Sequence, residues 1–255
     1  MEIIKPSIRP VKPIDGAAIL VELETAARKC YKSEDKLTAE NAGNVLKQCI
    51  TSGHESIIEH VQLSFDVTLD NGILREWTRH RIGSYSVEST RYCDYGKKGM
   101  RFVSPLEFEP LNRLEELTLW REACENTEVS YNKLRSIGCQ PQEAREVLNF
   151  SIACDMRFSA NLRSLRNLLR LRCAKEAHLH MRELCIPTLL YLKREIPIVF
   201  DDIPYDENFL NEYFGGNPGD CINTYINTNP TLDEYKTIID AIRMNRFMAL
   251  MKGEK

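Results

Sequence analysis

The chain has 255 residues, of which 43% are hydrophobic and 28% are charged, a balance typical of a globular protein with a sizeable core. Its formal net charge of -3 argues against non-specific nucleic-acid binding, which needs a broad basic surface. Nine cysteines stand without a CxxC pair, so neither a disulfide framework nor a cysteine-based zinc site is expected. No signal-peptide pattern and no apolar run of the ~18 residues that cross a bilayer are visible, which predicts a cytoplasmic protein without a membrane contact.

Helices and one clear strand are predicted in the first part of the chain. Apolar residues recur at helical spacing over residues 14–53, which predicts two helices. From Val61 to Leu69 apolar and polar residues alternate, which predicts a strand with one buried face, and Asp70-Asn71-Gly72 predicts a turn after it. A long helix is predicted over Leu111–Ile137, and Pro141 begins a short one.

The second part is predicted to be helical, with a change of composition near residue 200. Residues 161–193 predict helices rich in Leu and Arg, and a loop-rich passage follows Pro197. The final helix begins with a capping-box pattern, Thr231-x-x-Glu234. Its apolar stripe consists of Tyr235, Ile238, Ile239 and Ile242. We predict one domain over residues 1–200 and an extension over residues 201–255 that packs on it.

The segment around Arg79-His80-Arg81 contains candidate phosphate ligands. If it is extended, both guanidiniums lie on one side and His80 lies on the other, and the same alternation puts Ser89 beside Arg91. A guanidinium offers five donors in a planar array that suits phosphate oxygens. The alternative is an ordinary solvated surface with salt bridges.

A second cluster of cations has no acidic residue among its members. It consists of Arg157, Arg163, Arg166, Arg170, Arg172 and Lys175. On a helix, Arg163, Arg166 and Arg170 lie near one another, and an anion-binding surface is one interpretation of this charge bias. Pairing with acids elsewhere in the fold remains the alternative.

Three other kinds of site are not favoured. His54 and His60 are six residues apart, which puts them on different sides of a helix, so no metal site is predicted. No G-x-S-x-G pattern surrounds Ser89, so a phosphate-binding hydroxyl is the better interpretation. No G-x-G-x-x-G occurs, so a flavin or nicotinamide would bind outside a Rossmann crevice.

Arg79-His80-Arg81, followed after seven residues by Ser89, resembles the signature of the flavin-dependent thymidylate synthases. Two further stretches are similar to this family, and the resemblance spans roughly residues 14–195. The upstream stretch is Gly53-His54-Glu55-Ser56 with Glu59-His60, and the downstream one is Asn161-Leu162-Arg163-Ser164-Leu165, Asn167 and Leu171-Arg172.

The resemblance implies an α+β fold with a central, largely antiparallel sheet flanked by helices, here with a helical C-terminal extension. It implies a homotetramer with active sites between subunits. It further implies reductive methylation of dUMP to dTMP, with methylenetetrahydrofolate as one-carbon donor and NADPH as reductant through FAD. No side chain is expected to add covalently to uracil, and no metal is expected.

The resemblance also implies the site residues, with Arg172 as the catalytic one. The dUMP set is Glu76, Trp77, Thr78, Arg79, Ser89, Thr90, Arg91, Arg145 and Arg172. The FAD set is Ser56, Arg79, His80, Arg81, Asn161, Arg163 and Asn167. His54 and His80 are the candidates on the folate side.

The sequence departs from the family pattern at three positions. Val87 stands where many members carry Glu or Gln, Ser86 where some carry Asn, and Glu176 where a histidine is frequent. Glu176 is predicted to lie near Arg172 as a possible ion-pair partner. Two other hypotheses therefore stay open, namely a nucleotide- or RNA-binding protein and a flavoprotein with a different acceptor.

Overall fold

The computed structural model of the protein describes residues 1–109 and 111–251, with the backbone alone for Leu111 and residues 245–251. The strands in this part of the chain are β1 (Glu2–Ile4), β2 (Ser7–Pro10), β3 (Gln62–Asp70), β4 (Ser84–Val87), β5 (Arg101–Val103) and β6 (Ala153–Asn161). An antiparallel sheet has the order β2-β3-β6-β4, and β1 pairs with β5 in parallel.

β3 is the strand that the alternating pattern predicts, and its two faces differ as expected. Leu63, Phe65 and Val67 are buried, whereas Asp66 and Thr68 lie on the opposite, polar face. β3 pairs with β6 along its whole length, from Gln62↔Asn161 to Asp70↔Ala153. The prediction of a strand over Val61–Leu69 is confirmed.

The described part of the chain also contains eleven α-helices. They are α1 (Gly16–Lys29), α2 (Asn44–Thr51), α3 (Asn71–Trp77), α4 (Tyr95–Lys98), α5 (Leu114–Ser136), α6 (Pro141–Ala144), α7 (Leu162–Arg172), α8 (Leu179–Glu195), α9 (Glu207–Phe214), α10 (Pro218–Tyr225) and α11 (Lys236–Met251). Short 3-10 segments include Glu55–His60, Leu106–Phe108, Arg145–Val147 and Thr231–Tyr235. The predicted helices over residues 14–53, Leu111–Ile137 and 161–193 are confirmed.

The main core lies between the sheet and α7 and α8. From Glu183 to Leu192 every residue of α8 is buried, so this helix runs through the interior. A second, smaller cluster beneath α5 contains Phe102, Cys124 and Tyr131. The core thereby fixes α7, whose ends carry several of the candidate site residues.

Residues after 200 contribute to the main core. Phe209 of α9 and Ile222 of α10 are buried in it, and Ile226 bridges to Ile8 of β2. The family resemblance ends before this region, so these contacts belong to the extension. The boundary at residue 200 stays a prediction.

Two local predictions are wrong. Asp70-Asn71-Gly72 does not form a turn, because the Asp70 side chain accepts a hydrogen bond from the Ile73 N–H and caps α3. Thr231 does not cap the final helix, because Pro230 precedes a 3-10 segment there and α11 begins at Lys236.

Candidate active site

Arg172 lies at the C-terminal end of α7 and contacts the end of α3. Buried leucines such as Leu165 and Leu169 hold α7 on the core, which leaves the guanidinium of Arg172 at the edge. Its Nη1 is 2.8 Å from Glu76 Oε2, and Nη2 donates to the Glu76 carbonyl at 3.3 Å. The structure thus brings two members of the predicted dUMP set into direct contact.

His80 completes this cluster from the flavin set. Arg172 Nε donates a hydrogen bond to His80 Nε2 at 3.0 Å. Burial of the imidazole, and then the positive charge of Arg172, lower the pKa of His80 to about 4. The ring is therefore neutral at physiological pH, with Nε2 free to accept.

The loop that carries Arg79 and Arg81 is not extended as the sequence pattern assumes. The N–H groups of Arg79 and His80 donate to the carbonyls of Glu76 and Trp77, which continues α3 as a turn. Extended structure begins only at Ser84. Both guanidiniums are exposed. The prediction that an extended segment puts them on the same side is wrong, because Arg79 lies in the turn.

The remaining phosphate candidates lie at the opposite end of β4. Ser89 and Arg91 are exposed, and the Ser89 carbonyl accepts main-chain bonds from two following residues in a turn. Arg145 Nη1 is 3.4 Å from Thr90 Oγ1. The structure therefore brings Thr90 and Arg145 together, whereas the described partners of Arg172, Glu76 and His80, both precede β4 in the chain.

Trp77 and Thr78 do not offer free side chains. Trp77 is 1% exposed and packs edge-on against Phe158, with ring centroids 5.8 Å apart. The Thr78 hydroxyl donates to the Leu74 carbonyl. Trp77 is thus a core residue, and a nucleotide contact through its side chain does not fit its burial.

Most of the predicted FAD set surrounds the start of α7. Asn161 caps this helix by accepting from the Ser164 N–H, and Arg163 pairs with Glu59 at 2.6 Å. Ser56 and Asn167 are exposed. His54 is also exposed and immediately precedes the 3-10 segment that contains Ser56.

The donor set at this surface is chemically suited to a flavin dinucleotide. Exposed guanidinium, amide and hydroxyl groups of Arg163, Asn167 and Ser56 can donate to phosphate and carbonyl oxygens. In the described part of the chain, no group of three or more His, Cys, Asp or Glu side chains could hold a metal ion.

The arginine-rich cluster is largely neutralised by acids from other segments. Arg157 makes two hydrogen bonds to Asp66, at 2.7 and 2.8 Å. Arg166 is buried and pairs with Glu55 and Asp202. These pairs favour a structural role for much of the cluster and weaken the hypothesis of an RNA-binding surface.

Two departures from the family pattern have clear structural positions. Val87 is 38% exposed on β4, opposite Met156 of β6. Glu176 is exposed and makes no ion pair with Arg172, which is paired with Glu76 instead. The predicted Glu176 pairing is therefore wrong.

Sequence reasoning missed Tyr85 and the cluster around His180. The Tyr85 hydroxyl donates to the His80 carbonyl. His180 contacts Asp70 at 3.3 Å and Glu107 at 2.7 Å, and with Asp70 it lines a cavity of about 350 Å³ that also contains Glu76. In the sequence, only the alternation of Tyr85 with Ser84 and Ser86 indicated that its side chain faces inward.

Comparisons with known proteins show the family. A profile of the family described as thymidylate synthase complementing protein matches residues 20–198. A flavin-dependent thymidylate synthase from Mycolicibacterium vanbaalenii is 34% identical over 209 residues, covering 74% of this chain and 80% of that relative. This chain belongs to the flavin-dependent thymidylate synthase family. The prediction from the spaced Arg-His-Arg and Ser signature is confirmed, and with it the prediction of an enzyme of this family.

A second relative and a solved structure extend the comparison. A flavin-dependent thymidylate synthase from Geobacter sulfurreducens is 28% identical over 184 residues, covering 69% of this chain and 78% of the relative. The structure of a UMP/dUMP methylase from Streptomyces cacaoi, bound with 5-Br dUMP, has a TM-score of 0.67 at 18% identity. It covers 79% of this chain and 96% of the other, and it confirms the predicted fold.

None of the described helices is both long and apolar enough to cross a bilayer.

Proposed function

We propose that this chain is a cytoplasmic enzyme that converts dUMP to dTMP, with FAD as cofactor and methylenetetrahydrofolate and NADPH as co-substrates. The single observation that carries the proposal is the contact of Arg172 with Glu76 and His80. This contact brings Arg172, from the downstream stretch that is similar to the family, into one polar cluster with His80 of the Arg-His-Arg signature and with Glu76.

In this proposal Arg172 is the catalytic residue. A guanidinium beside the uracil stabilises negative charge on the ring, and such charge makes the pyrimidine carbon nucleophilic towards the one-carbon unit. Three of the five guanidinium N–H groups are used by Glu76 and His80 within the described structure. Two therefore remain to donate to a uracil oxygen.

Glu76 orients Arg172 in this arrangement. The ion pair at 2.8 Å and the carbonyl bond at 3.3 Å fix the plane of the guanidinium before a nucleotide arrives. A fixed donor needs no reorganisation as charge develops on the substrate. Glu76 therefore contributes by orienting the guanidinium. Its negative charge at the same time offsets part of the positive charge of Arg172.

The 5′-phosphate would be bound by Ser89, Arg91 and Arg145. Ser89 and Arg91 are exposed on one turn, and Thr90 contacts Arg145. Two guanidiniums and a hydroxyl match a dianionic phosphate. As the family resemblance implies, we propose that each active site combines this group and Arg172 from different subunits of a homotetramer.

The flavin would be held by Ser56, Asn161, Arg163 and Asn167, together with Arg79, His80 and Arg81. When bound, the flavin supplies the hydride that completes the methyl group. His54 and His80 border the region from which the folate approaches in this proposal.

The thiols nearest to Arg172 support a mechanism without a cysteine nucleophile. Cys173 and Cys185 are fully buried, and burial raises the pKa of both thiols well above the ordinary value. Both groups stay protonated, and neither side chain reaches the surface.

The test is the rate of dTMP formation by Arg172→Ala. We expect kcat to fall by about 10²–10³-fold, because a donor to developing charge is lost. The visible flavin spectrum and the fold, measured by circular dichroism, should stay unchanged. Arg121→Ala is the matched control, because Arg121 is exposed on α5, and it should keep wild-type activity.

Two results would contradict the proposal. One is near-normal dTMP formation by Arg172→Ala. The other is a purified wild-type protein that takes up no FAD and whose spectrum does not respond to dUMP.

A further inference from the structure

Tyr85 connects the sheet to the loop that carries His80. Its ring is half-buried on β4 and stacks on Phe158 of β6, with centroids 5.2 Å apart and planes 28° apart. Its hydroxyl donates to the main-chain carbonyl of His80 and lies 3.4 Å from that of Trp77. A residue anchored in the sheet thereby fixes the turn that follows α3.

The loop between His80 and Tyr85 is pressed closely on this hydroxyl. A Cβ at Gly83 would lie 2.8 Å from the Phe158 ring and 3.3 Å from the Tyr85 hydroxyl oxygen. The glycine therefore permits the close approach of the loop to β6. Little space is left for the loop to move towards the sheet.

The contacts continue from the loop to the catalytic arginine. His80 accepts from Arg172 Nε through its Nε2 atom, and its own main chain is the group that Tyr85 holds. Displacement of the His80 backbone would move the imidazole with it. Together with the two Glu76 contacts, the Tyr85 hydroxyl therefore contributes to the position of the Arg172 guanidinium through one intervening residue.

We propose that Tyr85 is a positioning residue for Arg172 and acts through His80. The inference rests on the proposed function only for its effect on dTMP formation. The contacts themselves can be tested without turnover.

The protonation states agree with this arrangement. His80 is neutral, so its Nε2 accepts from Arg172, whereas a protonated ring would repel the guanidinium. Burial raises the pKa of the Tyr85 phenol, so the hydroxyl remains a donor to the His80 carbonyl.

The kinetic experiment uses Tyr85→Phe, which keeps the stacked ring and removes only the hydroxyl. We expect kcat for dTMP formation to fall about tenfold, because a small displacement of a catalytic group has a large effect on rate. The Kd for dUMP, measured by calorimetry, should change less than twofold, since the phosphate contacts are untouched. Tyr235→Phe, an exposed tyrosine, is the control and should keep wild-type kcat.

A coupling experiment separates positioning from a general structural role. In a His80→Leu background, which has no acceptor for Arg172, Tyr85→Phe should cause no further loss of kcat. Equal losses in the wild-type and His80→Leu backgrounds would overturn the proposal.

A structural readout distinguishes this proposal from the proposed function. In protein labelled with ¹⁵N-arginine, the Arg172 Nε–H signal is identified by its loss in Arg172→Lys. We expect its solvent exchange to speed up at least tenfold in Tyr85→Phe. Unchanged exchange in this variant would overturn the role of Tyr85. If the Arg172 Nε–H of the wild-type protein is protected from solvent exchange but the protein forms no dTMP, only the proposed function is contradicted.

Discussion

The sequence indicated Arg172 as the candidate catalytic residue, but it did not indicate which residues contact its side chain. The family pattern points to an arginine at this position and to Glu76 and His80 elsewhere in the chain. Their contacts at 2.8 and 3.0 Å arise because α3 and α7 end at the same place against the core. Local patterns carry no information on such a meeting, and Tyr85 was missed for the same reason.

His180 gives a prediction at the residue scale. Burial would lower the pKa of His180, but hydrogen bonds to Asp70 and Glu107 outweigh it and raise the pKa from 6.5 to about 10. A pKa raised on folding stabilises the native state below pH 6.5, and this contribution is lost as the pH rises to about 10.

We therefore expect His180→Gln to lower the free energy of unfolding by about 1–3 kcal/mol near pH 6 and by much less near pH 10. Urea denaturation of wild type and variant across this range measures the difference. His60→Gln, at an exposed histidine, should give a small and pH-independent difference. A constant difference for His180→Gln would contradict the assignment.

At the scale of elements, α7 shows why a charge cluster is hard to interpret locally. The helix has no acidic residue of its own, so the sequence left two interpretations open, an anion-binding surface and ion pairs with acids elsewhere in the fold. In the structure, Glu55 from the 3-10 segment before β3 and Asp202 from the extension pair with Arg166. These acids are far away in sequence, and only the packing of the segments brings them to the helix.

Arg166 should therefore be important for stability. Its side chain is 1% exposed, and its removal leaves a void and takes away an ion-pair partner of both Glu55 and Asp202. We expect Arg166→Ala to lower the free energy of unfolding by about 3 kcal/mol. Arg163→Ala, on the same helix but 51% exposed, should cost less than about 1 kcal/mol. Equal values for both variants, measured by urea denaturation, would contradict the structural role of Arg166.

The start of α3 shows a second limit at this scale. Asp70-Asn71-Gly72 is composed of turn-forming residues, but Ile73 and Trp77 are buried four residues apart, on one side of a helix. Their burial and the Asp70 cap favour the helix over a turn. Tertiary packing therefore decided an element for which the local pattern was ambiguous.

At the scale of the whole molecule, the predicted nucleotide set is divided between the two ends of β4. A shared site between subunits is testable with mixtures of inactive variants. Arg172→Ala and Arg91→Ala should each be nearly inactive alone. Mixed oligomers should recover roughly a quarter of wild-type activity, since one site in four then has both native residues.

The control for this experiment is a mixture of two variants that each lack one side chain of the Arg172–Glu76 ion pair. Arg172→Ala with Glu76→Ala should recover no activity, because the two side chains lie in contact within one chain. Mixed oligomers of Arg172→Ala and Arg91→Ala that stay inactive would place each site within a single subunit.

The sequence by itself determined the family, the long β3 strand, most helices and the chemical types at the candidate site. Spaced motifs and hydrophobic periodicity are local properties, so one chain is sufficient to read them. Only the tertiary structure decided that Arg172 meets Glu76 and His80, that Trp77 is a core residue, and that Arg166 is an internal ion-pair partner. These outcomes depend on contacts between residues far apart in sequence, which are set by the packing of the whole core.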